Sequence, residues 1–442
     1  MPQRNEPMSL GLFLFTNGHH AGGWRHPDAV PVDPMDWSVY RDIALKAEAA
    51  KLDLIFIADR LALNNVYGGN FDVSVAYQPA SSAEPITLIS ALSAVTQRIG
   101  LAATASTSYN APFTLSRQFA SLDHLSGGRI AWNAVTSTSD GEAQNFGNRE
   151  HLGREARYDK AEEFIQVVTA LWDSWEDDPL VLDKHSGVFA DKNKVHYVDH
   201  HGEHFDVRGP ATIPRTPQGR PVIIRAGQSE TFCELAAGNA DVIFAAQPTL
   251  ERAQRFYADI KQRAEAAGRA AHEIKVLPGV MPIIGATEAD AQRKQAELLD
   301  LVEPRAALAF MSASLNYDLS VHALDEPFPD IAAHIRGSLG RFQDLFRTWR
   351  EQGLTLAEVG RTYIASRSHL QVIGTAEQVA DELQRWFNAH ACDGFNVLPP
   401  YMPGGLDEFL EQVVPLLQQR GVFRRDYSGS TLRDHLGLKR YS

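Results

Sequence analysis

Cysteine is nearly absent. The 442 residues contain two, Cys233 and Cys392, too few for a disulfide framework or a cysteine-built metal site and in keeping with a reducing compartment. A surplus of positive charge is also missing: 42 Lys and Arg stand against 55 Asp and Glu, a formal net charge of -13, which leaves no electrostatic footprint for nucleic acid or an anionic membrane surface. No run of about 18 apolar residues is available to span a bilayer. The segment from Met1 to Pro7, with Arg4 and Glu6, has no apolar stretch of signal-peptide length, so the reading is a soluble, cytoplasmic protein. Several motifs are absent too. There is no HExxH, GxSxG or Walker A sequence, and no GxGxxG follows a first strand, which removes the main sequence support for zinc-protease, serine-hydrolase, P-loop and dinucleotide-fold chemistry. His19-His20 and the group His196, His200, His201 and His204 match no familiar zinc spacing, and no metal site is expected.

What is present suffices for a large core, with 44% hydrophobic and 22% charged residues. Short apolar runs at 9–15, 54–58, 99–105, 129–135, 222–226, 241–246, 275–280 and 394–398 read as eight strands. Between them lie helical patterns at 37–51, 84–97, 113–125, 158–174, 230–239, 249–268, 287–302, 375–388 and 406–420. Thr231 with Glu234, and Thr375 with Gln378, have the spacing of capping boxes. Eight alternating units predict an α/β fold, a (β/α)8 TIM barrel, in preference to an open doubly wound sheet. The expected organisation is a single barrel domain over 1–442 with insertions at about 60–83, 175–220 and 303–372, longer than barrel connections need. The first follows strand two and reads as a lid at the C-terminal mouth. The second reads as a hairpin excursion, and the third holds a helical pattern around 331–352.

Active sites of barrels lie at the C-terminal strand ends, which directs attention to four places. Strand two ends in Asp59-Arg60, a carboxylate where a barrel delivers a catalytic or ligand-binding group, or simply a loop-initiating acid. Strand three ends in Thr104-Ala105-Ser106-Thr107-Ser108-Tyr109, hydroxyls able to bond a polar ligand and equally compatible with turn chemistry. After strand five, Ala226-Gly227-Gln228-Ser229-Glu230 opens a helix, an arrangement that suits phosphate and also an ordinary N-cap. Arg157 and Tyr158, at the start of the helix after strand four, offer a cation and a phenol to the same anion.

These places lie inside longer matches. EPITL at 84–88, VTQRIGLAATASTSYNAPFTLSRQFASLDHLSGGRIAWNAVTSTS at 95–139, ARYDKAEEF at 156–164, the stretch at 204–229 ending in AGQS, and DGFNVLPP at 393–400 resemble the flavin-dependent monooxygenases of the bacterial luciferase superfamily. Within it they resemble the branch of nitrilotriacetate monooxygenase component A, dibenzothiophene sulfone monooxygenase and long-chain alkane monooxygenase. The resemblance spans roughly 9–425. It implies a luciferase-type barrel and reduced FMN (FMNH2) supplied by a separate NAD(P)H-dependent flavin reductase. It further implies O2 as co-substrate, a flavin C4a-hydroperoxide as the oxidant, and a homodimer or homotetramer. By the same resemblance Asp59 and Thr104 contact the flavin, Arg157, Tyr158 and Ser229 hold its phosphate side, and Asn133 with Gln78 lines the ring and substrate cavity. Thr104 and Asn133 are expected to act as neutral donors. His19, His20 and Tyr67 are further polar candidates near the mouth, and no general base is assigned.

Two positions depart from the family pattern. Arg154 replaces a histidine common four residues before the tyrosine, with His151 nearby but out of register, and Arg225 replaces a frequent glutamine. Arg225 is read as a candidate receptor for phosphate or for an anionic substrate, and Arg25 as a second candidate for a substrate carboxylate or sulfonate. The expected substrate is a small organosulfur or amine compound. The alternative is a flavin- or deazaflavin-binding barrel without monooxygenase activity.

Overall fold

The computed structural model describes residues 6–337 and 342–441. Residues 338–341 of the helical pattern at 331–352, and Arg4 at the N-terminus, lie outside the described residues. Eight parallel strands form a closed ring: β1 Ser9–Phe13, β2 Leu54–Ile57, β3 Gly100–Ser106, β4 Ile130–Val135, β5 Val222–Ala226, β6 Val242–Ala245, β7 Lys275–Ile284 and β8 Gly394–Val397. Each pairs with the next, and β8 pairs back onto β1 with Ser9 opposite Gly394. The open doubly wound alternative is thereby excluded. The strands are short Val, Ile, Ala and Leu runs because both faces are covered: side chains point either into the barrel or against the outer helices, so neither register position tolerates a polar residue without a partner. The inner face is filled by Phe13, Phe56, Ala102, Ala131, Ile224, Phe244 and Met281, and closed from below by Leu432, Leu436 and Leu438 of the C-terminal tail.

The helices fall where the 3.6 periodicity placed them, and Thr375 with Gln378 forms the expected capping box. The other predicted box does not form. Ser229 caps its helix instead, accepting from the Phe232 N–H, and Thr231 lies inside the first turn. A hydroxyl just after the glycine reaches the free N–H groups first, which the Thr-x-x-Glu spacing alone does not reveal.

The long connections carry extra structure. Residues 60–83 hold a 3-10 turn and the short helix Asp72–Tyr77. The connection at 175–220 contains two small hairpins, Leu180–Asp183 with Val188–Ala190 and His200–His201 with Asp206–Val207. The connection after β7 supplies helices Pro304–Leu315, Gln343–Glu351 and Leu356–Ser366, with a core of Phe328, Phe342, Phe346, Trp349 and Tyr363, then the strand Leu370–Gly374, which lengthens the sheet beside β7. Among the described residues no helix is long and apolar enough to cross a membrane.

Candidate active site

Two adjoining hollows open at the C-terminal ends of the strands. The first, about 330 Å³, lies between the ends of β2 to β6, the start of the 60–83 segment, and Ala313 and Ser314 of the helix after β7. The second, about 190 Å³, lies over the N-terminus of the helix Glu230–Asn239. Thr136, Thr138, Tyr158, Ala226 and Phe244 line both, so they form one cleft. Asp59, Thr104, Asn133 and Tyr158 line the first hollow, and Arg157, Tyr158 and Ser229 the second. All six residues singled out in the sequence therefore meet in one place.

The first hollow has an aromatic floor that sequence reasoning missed. Phe13, Phe56 and Phe244 come from β1, β2 and β6 and pack ring to ring, with centroids 4.9 to 5.5 Å apart. Their only signal is that they occupy inward positions on three strands whose adjacency is not written in the sequence. Above them, Thr104 and Asn133 are register partners on β3 and β4, so both side chains point inward at the same level. Thr104 Oγ1 donates to the Ile57 carbonyl at 2.8 Å and accepts from Asn133 Nδ2 at 2.8 Å. This chain fixes the orientation of the amide: a hydroxyl whose proton is committed must be met by NH2, which leaves Asn133 Oδ1 buried and without a partner. The expectation that both residues act as donors is therefore corrected. They present an acceptor, suited to a ligand N–H.

Asp59 follows β2, and its Oδ1 accepts from the Arg60 backbone N–H at 2.8 Å. No side-chain cation pairs with it among the described residues. Burial, with Glu84 and Glu142 nearby, pushes its carboxyl up to about 6, so it exchanges a proton close to neutral pH.

The second hollow collects positive electrostatics. Ser229 Oγ accepts from the Phe232 N–H at 3.3 Å, and the residue lines the hollow with its hydroxyl free to donate. Arg157 is buried and donates Nη1 to the Ser137 carbonyl at 2.7 Å, while Nε has no partner. Arg154 also lines this hollow, its guanidinium 5.9 Å from the Tyr158 ring centroid. Both arginines stand in the first turn of the helix Arg154–Asp173, where the macrodipole disfavours cations; their placement costs helix stability and makes sense as charge aimed at an anion. The family histidine is thus replaced by a cation in the same hollow. His151 bonds Tyr109 Oη at 2.5 Å and lines neither hollow.

Other expectations fail. Arg225 lines the first hollow, but its Nη1 pairs with Glu162 at 2.6 Å and Asn239 at 2.9 Å, so its charge is already neutralised. Arg25 donates to the Leu301 carbonyl at 2.7 Å and holds a loop. Gln78 lies away from the first hollow, bonded to the Ala306 carbonyl, and ties the lid segment to the helix after β7. His19 donates Nε2–H to the Phe13 carbonyl at 2.8 Å, and burial holds its pKa well below 6.5. His20 accepts from the Gly22 N–H at Nδ1, and burial lowers it to about 3. Both are neutral packing groups. Tyr67 packs against the core of the third connection. Among the described residues no cluster of three or more His, Cys, Asp or Glu is placed to hold a metal ion.

A model of the luciferase-like monooxygenases matches residues 8–391. The chain belongs to that family. It is 45% identical over 442 residues to the N-acetyl-S-(2-succino)cysteine monooxygenase of Bacillus subtilis (strain 168), covering 100% of this chain and 98% of the relative. It is 43% identical over 444 residues to nitrilotriacetate monooxygenase component A of Aminobacter aminovorans, covering 99% and 97%. Among solved structures, a riboflavin lyase holding modified FMN and riboflavin superposes with a TM-score of 0.89 at 32% identity, covering 98% of this chain and 97% of the other. The luciferase-like barrel expected from the motifs is thus the fold of the family.

Proposed function

We propose that the protein is the oxygenating component of a two-component flavin monooxygenase in the cytoplasm. It takes FMNH2 from a separate NAD(P)H-dependent flavin reductase and uses O2 to oxidise a small organosulfur or amine compound. The observation that carries this reading is the cleft itself: a cationic hollow over a helix N-terminus, continuous with an aromatic-floored hollow that ends in an unpartnered acceptor. The two halves match the two ends of FMN.

The residues present fit the cofactor. Ser229 Oγ–H, Arg157 Nε and the helix N-terminus would hold the phosphate, and Asn133 Oδ1 would accept from a ring N–H. Bound reduced flavin supplies the electrons that activate O2. The protein's own work is positional. Thr104 and Asn133 fix the height of the ring against β3 and β4, Phe13, Phe56 and Phe244 give it an apolar bed, and the 60–66 segment with Ala313 and Ser314 limits the access of water. Asp59 holds or releases a proton at Oδ2, the oxygen its backbone bond leaves open.

The test is rapid mixing of the anaerobic protein and FMNH2 with oxygenated buffer, followed by flavin absorbance. Reoxidation clearly slower than for free FMNH2 supports the reading. Reoxidation at the free-flavin rate removes the oxygenase role, and absence of binding removes the FMN assignment in favour of another flavin or none.

A further inference from the structure

The arginines around the cleft differ in what neutralises them. Two line the first hollow, Arg225 and Arg60. Arg225 is paired with Glu162. Arg60 is not paired: among the described residues no carboxylate oxygen lies within 4.0 Å of its guanidinium, and its one side-chain hydrogen bond, Nη1 to Asn64 Oδ1 at 2.9 Å, goes to a neutral amide. Glu142 acts on Arg60 through space, but the oxygens of the nearby acids are bonded elsewhere. Asp59 accepts from the Arg60 N–H, and Glu142 accepts from the N–H groups of Leu61, Thr138 and Ser139.

Arg60 is solvent-accessible, yet surrounded by enough protein that burial lowers its pKa. That combination describes a group at the wall of a deep, open hollow. Its guanidinium lies 4.6 Å from the centroid of Phe310, and Arg367 lies 4.3 Å from the same ring. Two guanidiniums share one aromatic ring beside the cavity. A guanidinium with no paired carboxylate in a partly desolvated site is unfavourable until an anion arrives, and the net charge of -13 makes the surrounding field repel anions, so a positive wall has to be local.

Resting on the oxygenase reading above, we infer that Arg60 is the receptor for an acidic group of the substrate, which is therefore a carboxylate- or sulfonate-bearing compound. The planar fork of the guanidinium accepts either group through two parallel N–H···O bonds. Phe310 packs against the guanidinium, and the role expected of Arg25 and Arg225 passes to Arg60.

The experiment is equilibrium dialysis on the FMN-loaded full chain. The probes are N-acetyl-S-(2-succino)cysteine, its neutral fully methylated ester, nitrilotriacetate and 2-(methylthio)ethanesulfonate, with FMN affinity measured in parallel. At least one acidic probe is expected to bind the wild type about tenfold or more tighter than the ester. Arg60→Gln should lose about that factor for the same probe, Arg60→Lys should fall between, and FMN affinity should stay within about twofold in both. The probe that loses most separates carboxylate from sulfonate. Acidic probes binding no better than the ester, or Arg60→Gln weakening acid and ester alike, overturns the inference while leaving the oxygenase reading standing. Loss of FMN affinity in Arg60→Gln also overturns it, assigning the residue to the flavin. Failure of the wild type to bind FMN brings down the oxygenase reading and the inference with it.

Discussion

At the floor of the barrel, Asp53 and Asp241 immediately precede β2 and β6, are almost wholly buried, and each meets a guanidinium. Asp53 pairs with Arg424, and Asp241 takes a bidentate contact from Arg433 at 2.6 and 3.2 Å. Burial pushes the Asp53 carboxyl up, while Arg424 and the Leu10 N–H pull it back. At the mouth, a few residues beyond Asp53, Asp59 has no paired cation and Arg60 no paired carboxylate among the described residues, with Glu142 acting on Arg60 only through space, while Asn133 Oδ1 on β4 and Arg157 Nε on the following helix have no hydrogen-bond partner. The C-terminal strand ends carry more polar residues, Thr104, Ser106, Asn133 and Arg225 among them, but polarity alone does not say which of these await a ligand. Completion does. The floor carboxylates are closed on guanidiniums, although Arg424 Nη1 and the His435 ring nitrogens beside them have no partner, whereas the open groups of the mouth belong to residues that line a cleft a ligand can enter.

Breaking the floor is expected to have the largest effect. Arg433→Met leaves Asp241 buried with its nearest remaining cation, Arg269, 3.9 Å away, and should cost about 3–5 kcal/mol of stability in urea unfolding. Flavin affinity of the folded protein should not change. At the mouth the flavin effect leads. Arg157→Met should weaken FMN by about 2–3 kcal/mol through a lost charged contact, with riboflavin affinity unchanged, and should cost about 1–2 kcal/mol of stability because the Ser137 carbonyl loses its donor. Parallel titrations and melts check both halves of the contrast.

Ser229 belongs to both categories. Ser229→Ala should weaken FMN by about 1–2 kcal/mol and cost about 1 kcal/mol of stability as a lost N-cap. Ser229→Asp keeps the cap and should weaken FMN further, because its charge opposes the phosphate. Equal FMN affinity in Ser229→Ala and wild type would reduce the residue to a cap.

The smallest effect concerns pH. Asp59 titrates near 6 in the folded protein, above its ordinary value of 3.8, so it costs no stability below the ordinary value and an increasing amount as pH rises through the folded one. Asp59→Asn should therefore be more stable than wild type near neutral pH and converge with it in acid, as pH-dependent melting would show. A constant difference would mean that the carboxyl is not raised.

Much of this was legible in the sequence, for identifiable reasons. The eight strands are continuous apolar runs, and the positions of Asp59, Thr104 and Ser229 follow from the rule that barrel function sits at C-terminal strand ends. What escaped depends on partners far away in the chain. Arg225 reads as a free cation until Glu162, 63 residues earlier, is seen to neutralise it. Gln78 reads as a cavity residue until the helix Pro304–Leu315 is found to hold it. Arg60, beside Asp59, reads as an ordinary surface cation, because its significance lies in Phe310 and in the absence of a paired carboxylate among the described residues, and neither is local. The donor or acceptor character of Asn133 was equally hidden, since it is set by a hydrogen-bond relay through Thr104 to a main-chain carbonyl.

The central claim, that an open cationic hollow and an open acceptor at the mouth are the two ends of a site for FMN, is tested most directly by anaerobic titration of the wild type with FMNH2 and with reduced riboflavin. The account predicts that FMNH2 binds about thirtyfold or more tighter, the phosphate contributing about 2 kcal/mol or more through Arg157 and Ser229. Equal affinity for the two flavins would contradict it.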